Sequence, residues 1–357
     1  RLLRAGELSP IEVPGLEQEA LRDLSRVDRA LVLLSLHRLS GDQVAWLEEF
    51  FADLPAGQEE ELAAKVALND VAPQVLLNLE RHGIDPGLPP PLLDPWRQRR
   101  QQIQALAARR VAEAASLFRD FEAEGIEVIV LKGMLFAEVM WRDPAYKKMN
   151  DVDVLVRAED VQDVRELYRA RGYLPLVLFE GGDEEHLDLA KGHHLPSFVS
   201  PDLEFVVGTH WGLASPRKGL RLDHERMWVD SFELPFHGTR VRSLSHEDNL
   251  HHLAVHFHHY KTGIKELSDV YNYAAHAGEA LDWDLLERRI LAAGTASRAH
   301  YLFELAAALH PLGAPQSFFL ALERAADEFA RAEVRLRLSR LDLLTRSRSL
   351  YESTIEK

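Results

Sequence analysis

The stretch KKMNDVDVLV, residues 147–156, sets two aspartates one residue apart in an apolar run behind two lysines. The β-branched, apolar run VDVLV predicts a β-strand. In a strand, residues two apart share a face, so Asp151 and Asp153 project side by side. Two such carboxylates repel and raise each other's pKa unless a cation sits between them. A divalent ion resolves the conflict, and Mg²⁺ or Mn²⁺ binds through one or two carboxylates plus water and substrate phosphates. As an isolated tripeptide, D-x-D is common and is better explained by a strand cap beside a solvated aspartate. The neighbouring sequence has to decide.

Working outward, EVIVL (127–131) predicts a short strand, KG a turn and MLFAEVMW (134–141) a helix, with a break at Asp143-Pro144. After the aspartate strand come the helix AEDVQDVRELYRAR, the strand YLPLVLF, a polar Gly- and His-rich loop (180–194) and the strand LEFVV. From Leu16 to about Ala115 apolar residues recur at helical spacing. A break at 83–95 includes three prolines, Pro89 to Pro91, read as an extended connector. From Ser245, which has capping-box spacing to Asp248, the chain is helical again. The expected fold class is α+β. A small mixed-sheet core at 116–215 lies between helical regions at 1–115 and 245–357, and residues 216–244 form a connector.

Composition bounds the chemistry. The 357 residues are 46% hydrophobic and 28% charged, ordinary for a globular protein. A net charge of −15 argues against a nucleic-acid partner, though not against a nucleotide bound through a divalent cation. The absence of cysteine excludes disulfides, thiolate catalysis and Cys-ligated zinc. No apolar run approaches the roughly 18 residues that span a bilayer. RLLRAGELSP lacks a signal-peptide core, so a cytoplasmic protein without a membrane partner is expected.

The run VIVLKGMLFAEVMWRDPAYKKMNDVDVLV (128–156) resembles the nucleotidyltransferase superfamily, which has the DNA polymerase beta-like fold. More narrowly, it resembles the uncharacterised nucleotidyltransferase family with an LKG…DIDLLV pattern. Leu131-Lys132-Gly133, Asp143-Pro144, Met149 and the run from Asp151 to Val156 carry the match. HHLP (193–196), HW (210–211), LHHLAVHFHH, LSDVYNYA (267–274) and DWDLLERR (282–289) extend it over roughly residues 60–295.

The resemblance implies transfer of a nucleoside monophosphate from an NTP to the hydroxyl or phosphate of a small-molecule or protein acceptor. It implies Mg²⁺ or Mn²⁺ on Asp151 and Asp153, with the triphosphate on Lys132, Gly133 and Lys147. Lys147 stands where the family usually has Arg, keeping the charge without the bidentate fork. It also implies a third carboxylate, to hold a second metal or act as base, at a position that is Gly208 in this chain. Glu204 shares its strand parity but lies roughly 13 Å away along an extended chain. Asp202 and Asp188 are weaker substitutes, and His210 is an alternative base. The missing acid leaves a second expectation open, a catalytically weak module that binds a nucleotide or partner. An acceptor cleft is expected around His256, Lys265 and Asp269, between the core and the C-terminal helices.

Five of residues 251–259 are histidine. His252 and His256, four apart on a helix, have the spacing to share one ion, but no acidic third ligand completes a zinc site. A polar helix flank is the simpler reading.

Overall fold

A computed structural model describes residues 24–176, 192–257 and 263–340 of the chain. The strand YLPLVLF, the polar loop and the histidine run therefore lie partly outside the described residues, and Asp188 wholly so. The chain divides into two compact units. One combines residues up to Gln101 with those from Leu253 onward, and the other is Gln102–His252.

The first unit is helical. It contains α1 (Arg26–Leu34), α2 (Gly41–Ala52), α3 (Gln58–Asn69), α4 (Ala72–His82) and the start of α5 (Pro90–Ala123). Proline does not hold this last segment extended, because α5 begins at Pro90. Leu92 and Leu93 N–H groups both reach Pro89 O, at 2.9 and 3.2 Å. A proline in the first helical turn forfeits only an N–H that has no intrahelical partner, and its fixed φ suits the helix.

Helices from both ends of the chain share this unit because buried polar groups join them. Asn272 Nδ2 donates to Ser35 O at 2.8 Å, and His37 N donates to Asn272 Oδ1 at 2.8 Å. Ser35 also hydrogen-bonds the buried Tyr271 hydroxyl. A grouping of N-terminal with C-terminal helices thus replaces two separate helical regions.

The second unit carries a mixed seven-stranded sheet in the order β3-β4-β5-β2-β1-β7-β6, flanked by helices, so the fold class is α+β. Its elements are β1 (Ile129–Val130), α6 (Lys132–Phe136), β2 (Val152–Leu155), α7 (Val161–Ala170), β3 (Leu174–Pro175), β4 (Phe198–Val199), β5 (Val206–His210), α8 (His224–Asp230), β6 (Phe232–Phe236), β7 (Thr239–Ser243) and α9 (His246–His256). A π-helical turn, Ala137–Trp141, continues α6.

The central strand β2 pairs antiparallel with β1 and parallel with β5. Residues 216–244 are more than a connector, since they supply the β6–β7 hairpin and β7 pairs with β1. His237 and Gly238 both have positive φ at its turn, the conformation that two-residue hairpins prefer.

Helix α7 buries Val161, Val164 and Tyr168, which lie on one face at helical spacing. Tyr168 packs on Phe121 of α5 and bonds Thr209 Oγ1 at 2.6 Å beneath β5. Leu131, Leu155, Leu213, Met227, Trp228 and Leu244 form another buried cluster of the same unit. The C-terminal end of β5 is thereby anchored. Among the described residues no helix is long and apolar enough to cross a membrane.

The C-terminal helices are α10 (Ile264–Ala277), α11 (Trp283–Ala293), α12 (Ala296–Leu309), α13 (Gln316–Ala325) and α14 (Glu328–Arg340). His251 and His252 on α9 are buried and His256 is exposed, as a packed helix flank requires. Among the described residues no three His, Asp or Glu side chains gather to hold a metal.

Candidate active site

Asp153 stands opposite Gly208 in the β2–β5 register and is contacted from both sides. Lys132 Nζ donates to its Oδ2 at 2.9 Å, and His210 Nε2 lies 3.1 Å from its Oδ1. Each of the three side chains is about one-sixth exposed or less. Burial by itself would raise the pKa of Asp153. The His210 hydrogen bond and the Lys132 charge outweigh it and hold the carboxyl far below its ordinary range.

Asp151, one residue before β2, is open to solvent, yet its carboxyl titrates above the ordinary range. Partial desolvation is the first cause and the Asp153 charge the second, with Lys132 and His210 opposing them. The pair thus behaves as two adjacent carboxylates, one ionised firmly and the other reluctantly. Its oxygens are hard donors that suit one Mg²⁺ or Mn²⁺, with water and phosphate completing the shell. Lys132 holds the place of a positive charge on the inner carboxylate.

The Lys-Gly turn opens α6 from the end of β1. Lys132 has φ 47°, a left-handed conformation that costs a non-glycine residue on the order of 1–3 kcal/mol. Strain of this kind persists where surrounding structure enforces it, and here it aims Lys132 at Asp153. Gly133 is closely packed by side chains. A β-carbon there would lie 3.1 Å from Met149 Cγ and 3.9 Å from Lys147 Cε. The turn, Lys147 and Met149 are therefore neighbours, as a phosphate cradle needs. Lys147 is buried, with its ammonium 5.3 Å from the Tyr146 ring centre, and Tyr146 stacks on Trp141.

Among the described residues no third carboxylate joins the pair. A β-carbon on Gly208 would lie only 2.6 Å from Asp153 Oδ1, so the inner aspartate leans into the room that glycine leaves. Glu204 precedes β5 and pairs with Arg109 at 2.8 Å. Asp202 serves the β4–β5 turn, accepting from Glu204 N at 3.1 Å. Lys265 and Asp269 lie on α10 in the helical unit with His256. Lys265 binds Asp70 Oδ2 at 3.1 Å, and Asp70 also takes Arg99 at 2.9 Å.

Two positions escaped the sequence reading. Arg110 on α5 donates through Nε to Glu204 O at 2.9 Å and through Nη1 to Met149 O, and it feels the charge of both Asp151 and Glu204. It ties the approach to β2 against the approach to β5. His224 Nε2 accepts from Leu213 N at 3.0 Å, fixing the chain just past His210. Burial lowers the His224 pKa and so favours the neutral acceptor form. Neither role has a signature in one sequence, since a single Arg or His is common on helices.

A lysine-glycine turn at a helix start, a paired-aspartate strand and a parallel neighbour strand define a nucleotidyltransferase-type core. The family model described as uncharacterised nucleotidyltransferase matches residues 55–311, and the chain belongs to that family. No curated protein and no solved structure matches the chain.

Proposed function

We propose that the protein is a metal-dependent nucleotidyltransferase that moves a nucleoside monophosphate from an NTP to the hydroxyl or phosphate of an acceptor. The observation that carries this reading is the grouping of Asp151, ionised Asp153 and Lys132 beside the cradle of Gly133 and Lys147. Asp151 and Asp153 hold Mg²⁺ or Mn²⁺. The chemistry supplied by the bound ion is neutralisation and polarisation of the reacting phosphoryl oxygens. Lys132 and Lys147 neutralise the triphosphate, and the Gly133 backbone allows its close approach.

The acceptor oxygen forms a bond to the α-phosphorus, the bond to the β-phosphate oxygen breaks, and pyrophosphate leaves. A carboxylate only accepts, so the His210 nitrogen facing Asp153 carries a proton, and in the neutral form of the ring the lone pair sits on Nδ1. With a hydroxyl acceptor, that Nδ1 takes the proton. A phosphate acceptor has none to give.

The test uses the full chain with Mg²⁺ and each NTP labelled at the α-phosphate, offered hydroxyl- and phosphate-bearing acceptors. Label transfer should fall at least about 100-fold in Asp151→Asn and in Asp153→Asn, the scale for losing a group that stabilises developing charge. Transfer that survives both substitutions overturns the assignment. A second reading, a nucleotide-binding module with little turnover, is favoured by Gly208 in the place of the third acid. NTP binding without transfer to any acceptor would select it.

A further inference from the structure

Both oxygens of Asp153 already have partners. Lys132 Nζ donates to Oδ2 at 2.9 Å, and His210 Nε2 lies 3.1 Å from Oδ1. The Lys132 and Asp153 side chains are each 15% exposed, so their ion pair is shielded from most of the solvent that weakens surface pairs. A divalent cation shared by Asp151 and Asp153 must therefore displace the ammonium from Oδ2 or stand beside it. Two cations within a few ångströms repel, and more strongly where water is scarce. Two ionised carboxylates and one ammonium leave the pair a single net negative charge for a metal arriving alone.

Lys132 is also the residue that opens the phosphate turn. Its φ of 47° belongs to that turn, and Gly133 follows it directly. The backbone is fixed there, but the side chain is a flexible four-carbon stem whose ammonium can change partner. Lys147, the other cation of the cradle, is held differently. It is buried with its ammonium 5.3 Å from the Tyr146 ring centre, and its Cε lies 3.9 Å from where a β-carbon on Gly133 would stand. One lysine thus stays at the turn, while the other neutralises the inner carboxylate. A triphosphate at the turn offers Lys132 a more highly charged anion than one carboxylate, and its transfer there uncovers Asp153 for the cation.

We propose that Lys132 is a built-in counter-ion of the aspartate pair, which weakens divalent-cation binding until a triphosphate draws the ammonium away. The inference rests on the nucleotidyl-transfer reading above and gives it an order of loading. Metal and NTP enter together, because each removes what opposes the other. By linkage, the triphosphate raises the affinity for the metal by the same factor as the metal raises that for the triphosphate. Lys132 is then more than a phosphate ligand, since it sets which cation the carboxylates hold at each stage.

Calorimetric titrations of the full chain test it. Mn²⁺ alone should bind Lys132→Met about tenfold or more tightly than wild type, within the usual range of coupling between two sites. Lys132→Arg keeps a cation over Asp153, and Lys147→Met removes the same charge from the turn, so each should stay within about threefold of wild type. In EDTA, inorganic tripolyphosphate should bind Asp153→Asn about fivefold or more tightly than wild type. It should also bind Asp153→Asn more tightly than Asp151→Asn, since only the former substitution releases Lys132. Mn²⁺ affinity that is unchanged or lower in Lys132→Met, or raised equally in Lys147→Met, overturns the proposal. So does equal tripolyphosphate binding by the two aspartate variants, a readout that holds even if Lys132→Met fails to fold. Those failures leave nucleotidyl transfer standing if label transfer still depends on Asp151 and Asp153. A gain of Mn²⁺ affinity in Lys132→Met without label transfer to any acceptor keeps the counter-ion and sinks the transfer reading.

Discussion

Asp153 and Gly208 face each other across the parallel β2–β5 ladder, and a β-carbon on Gly208 would lie 2.6 Å from Asp153 Oδ1. Glycine at this position therefore does more than omit an acid. It gives the inner aspartate room to reach His210 while Lys132 holds its other oxygen.

Replacing Gly208 should consequently cost stability and fail to restore a three-acid site. Gly208→Ala forces Asp153 off its His210 contact, a charge-assisted bond of about 1.5–3 kcal/mol. Gly208→Glu adds a third negative charge to the same crowding. Thermal unfolding should show both variants below wild type, with Glu lower than Ala. A stable Gly208→Glu protein that binds Mg²⁺ more tightly would mean that Asp153 is free to rotate away without cost.

Asp151 should behave in the opposite way. Its pKa is raised in the fold, so its contribution to stability is present below the unfolded pKa and is lost as pH rises through the folded value. At pH 7 the metal-free protein carries that repulsion, and Asp151→Asn removes it. The variant should unfold at a slightly higher temperature in EDTA, by an amount worth less than about 1 kcal/mol because the residue is solvent-exposed. The gain should vanish in saturating Mg²⁺ and at acidic pH, where wild type is relieved by the cation or by a proton. An unchanged or lowered melting temperature in EDTA at pH 7 would refute the repulsion.

The sequence made β2 and its turn-helix neighbour legible because a short apolar strand, a Lys-Gly turn and a proline break are local signals. Residues 131–156 largely form what those signals predict. Register across strands is not local. That Gly208 lies against Asp153, rather than one position along, follows from the β2–β5 ladder. The hairpin at 232–243 reads as a connector in the sequence because Phe232, Leu234 and Phe236 alternate with only a Glu and a Pro, although His237-Gly238 is a usable turn signal. The prolines before α5 misled for a similar reason. Three in a row signal an extended chain, but two of them occupy the first turn of a helix, where no N–H is needed. Arg110 could not be read at all, since its partners are backbone oxygens 39 and 94 positions away.

Acid should destabilise the fold well above the carboxylate range. Burial is the largest cause that lowers His37, His193 and His310, each to about 4. A histidine with a depressed folded pKa contributes stability that is present above its unfolded value of 6.5 and is lost as pH falls toward the folded value. Between pH 6.5 and 4 the unfolded chain therefore takes up more protons. Each such site adds a slope of up to about 1.4 kcal/mol per pH unit. Melting temperature should fall steadily over this interval, and His310→Leu should make the decline shallower. A profile that is flat down to pH 4.5 would refute the buried neutral imidazoles.

Arg110 should matter far more than its neighbour Arg109. Arg109 pairs with Glu204 through a side chain that is 60% exposed, and such surface pairs contribute about 0–1 kcal/mol. Arg110 instead bridges two backbone oxygens, Met149 O just before Asp151 and Glu204 O just before β5. Met149 also packs against Gly133, so releasing it loosens the phosphate turn as well as the approach to the aspartates. Arg110→Ala should cost on the order of 2 kcal/mol in stability and weaken NTP binding at least tenfold, whereas Arg109→Ala should leave both within error. Arg110→Lys should recover little, because one ammonium cannot reproduce the fork that spans both oxygens. Calorimetric NTP titrations alongside thermal melts of the three variants check this. Equal behaviour of Arg110→Lys and wild type would reduce Arg110 to a source of charge near Asp151.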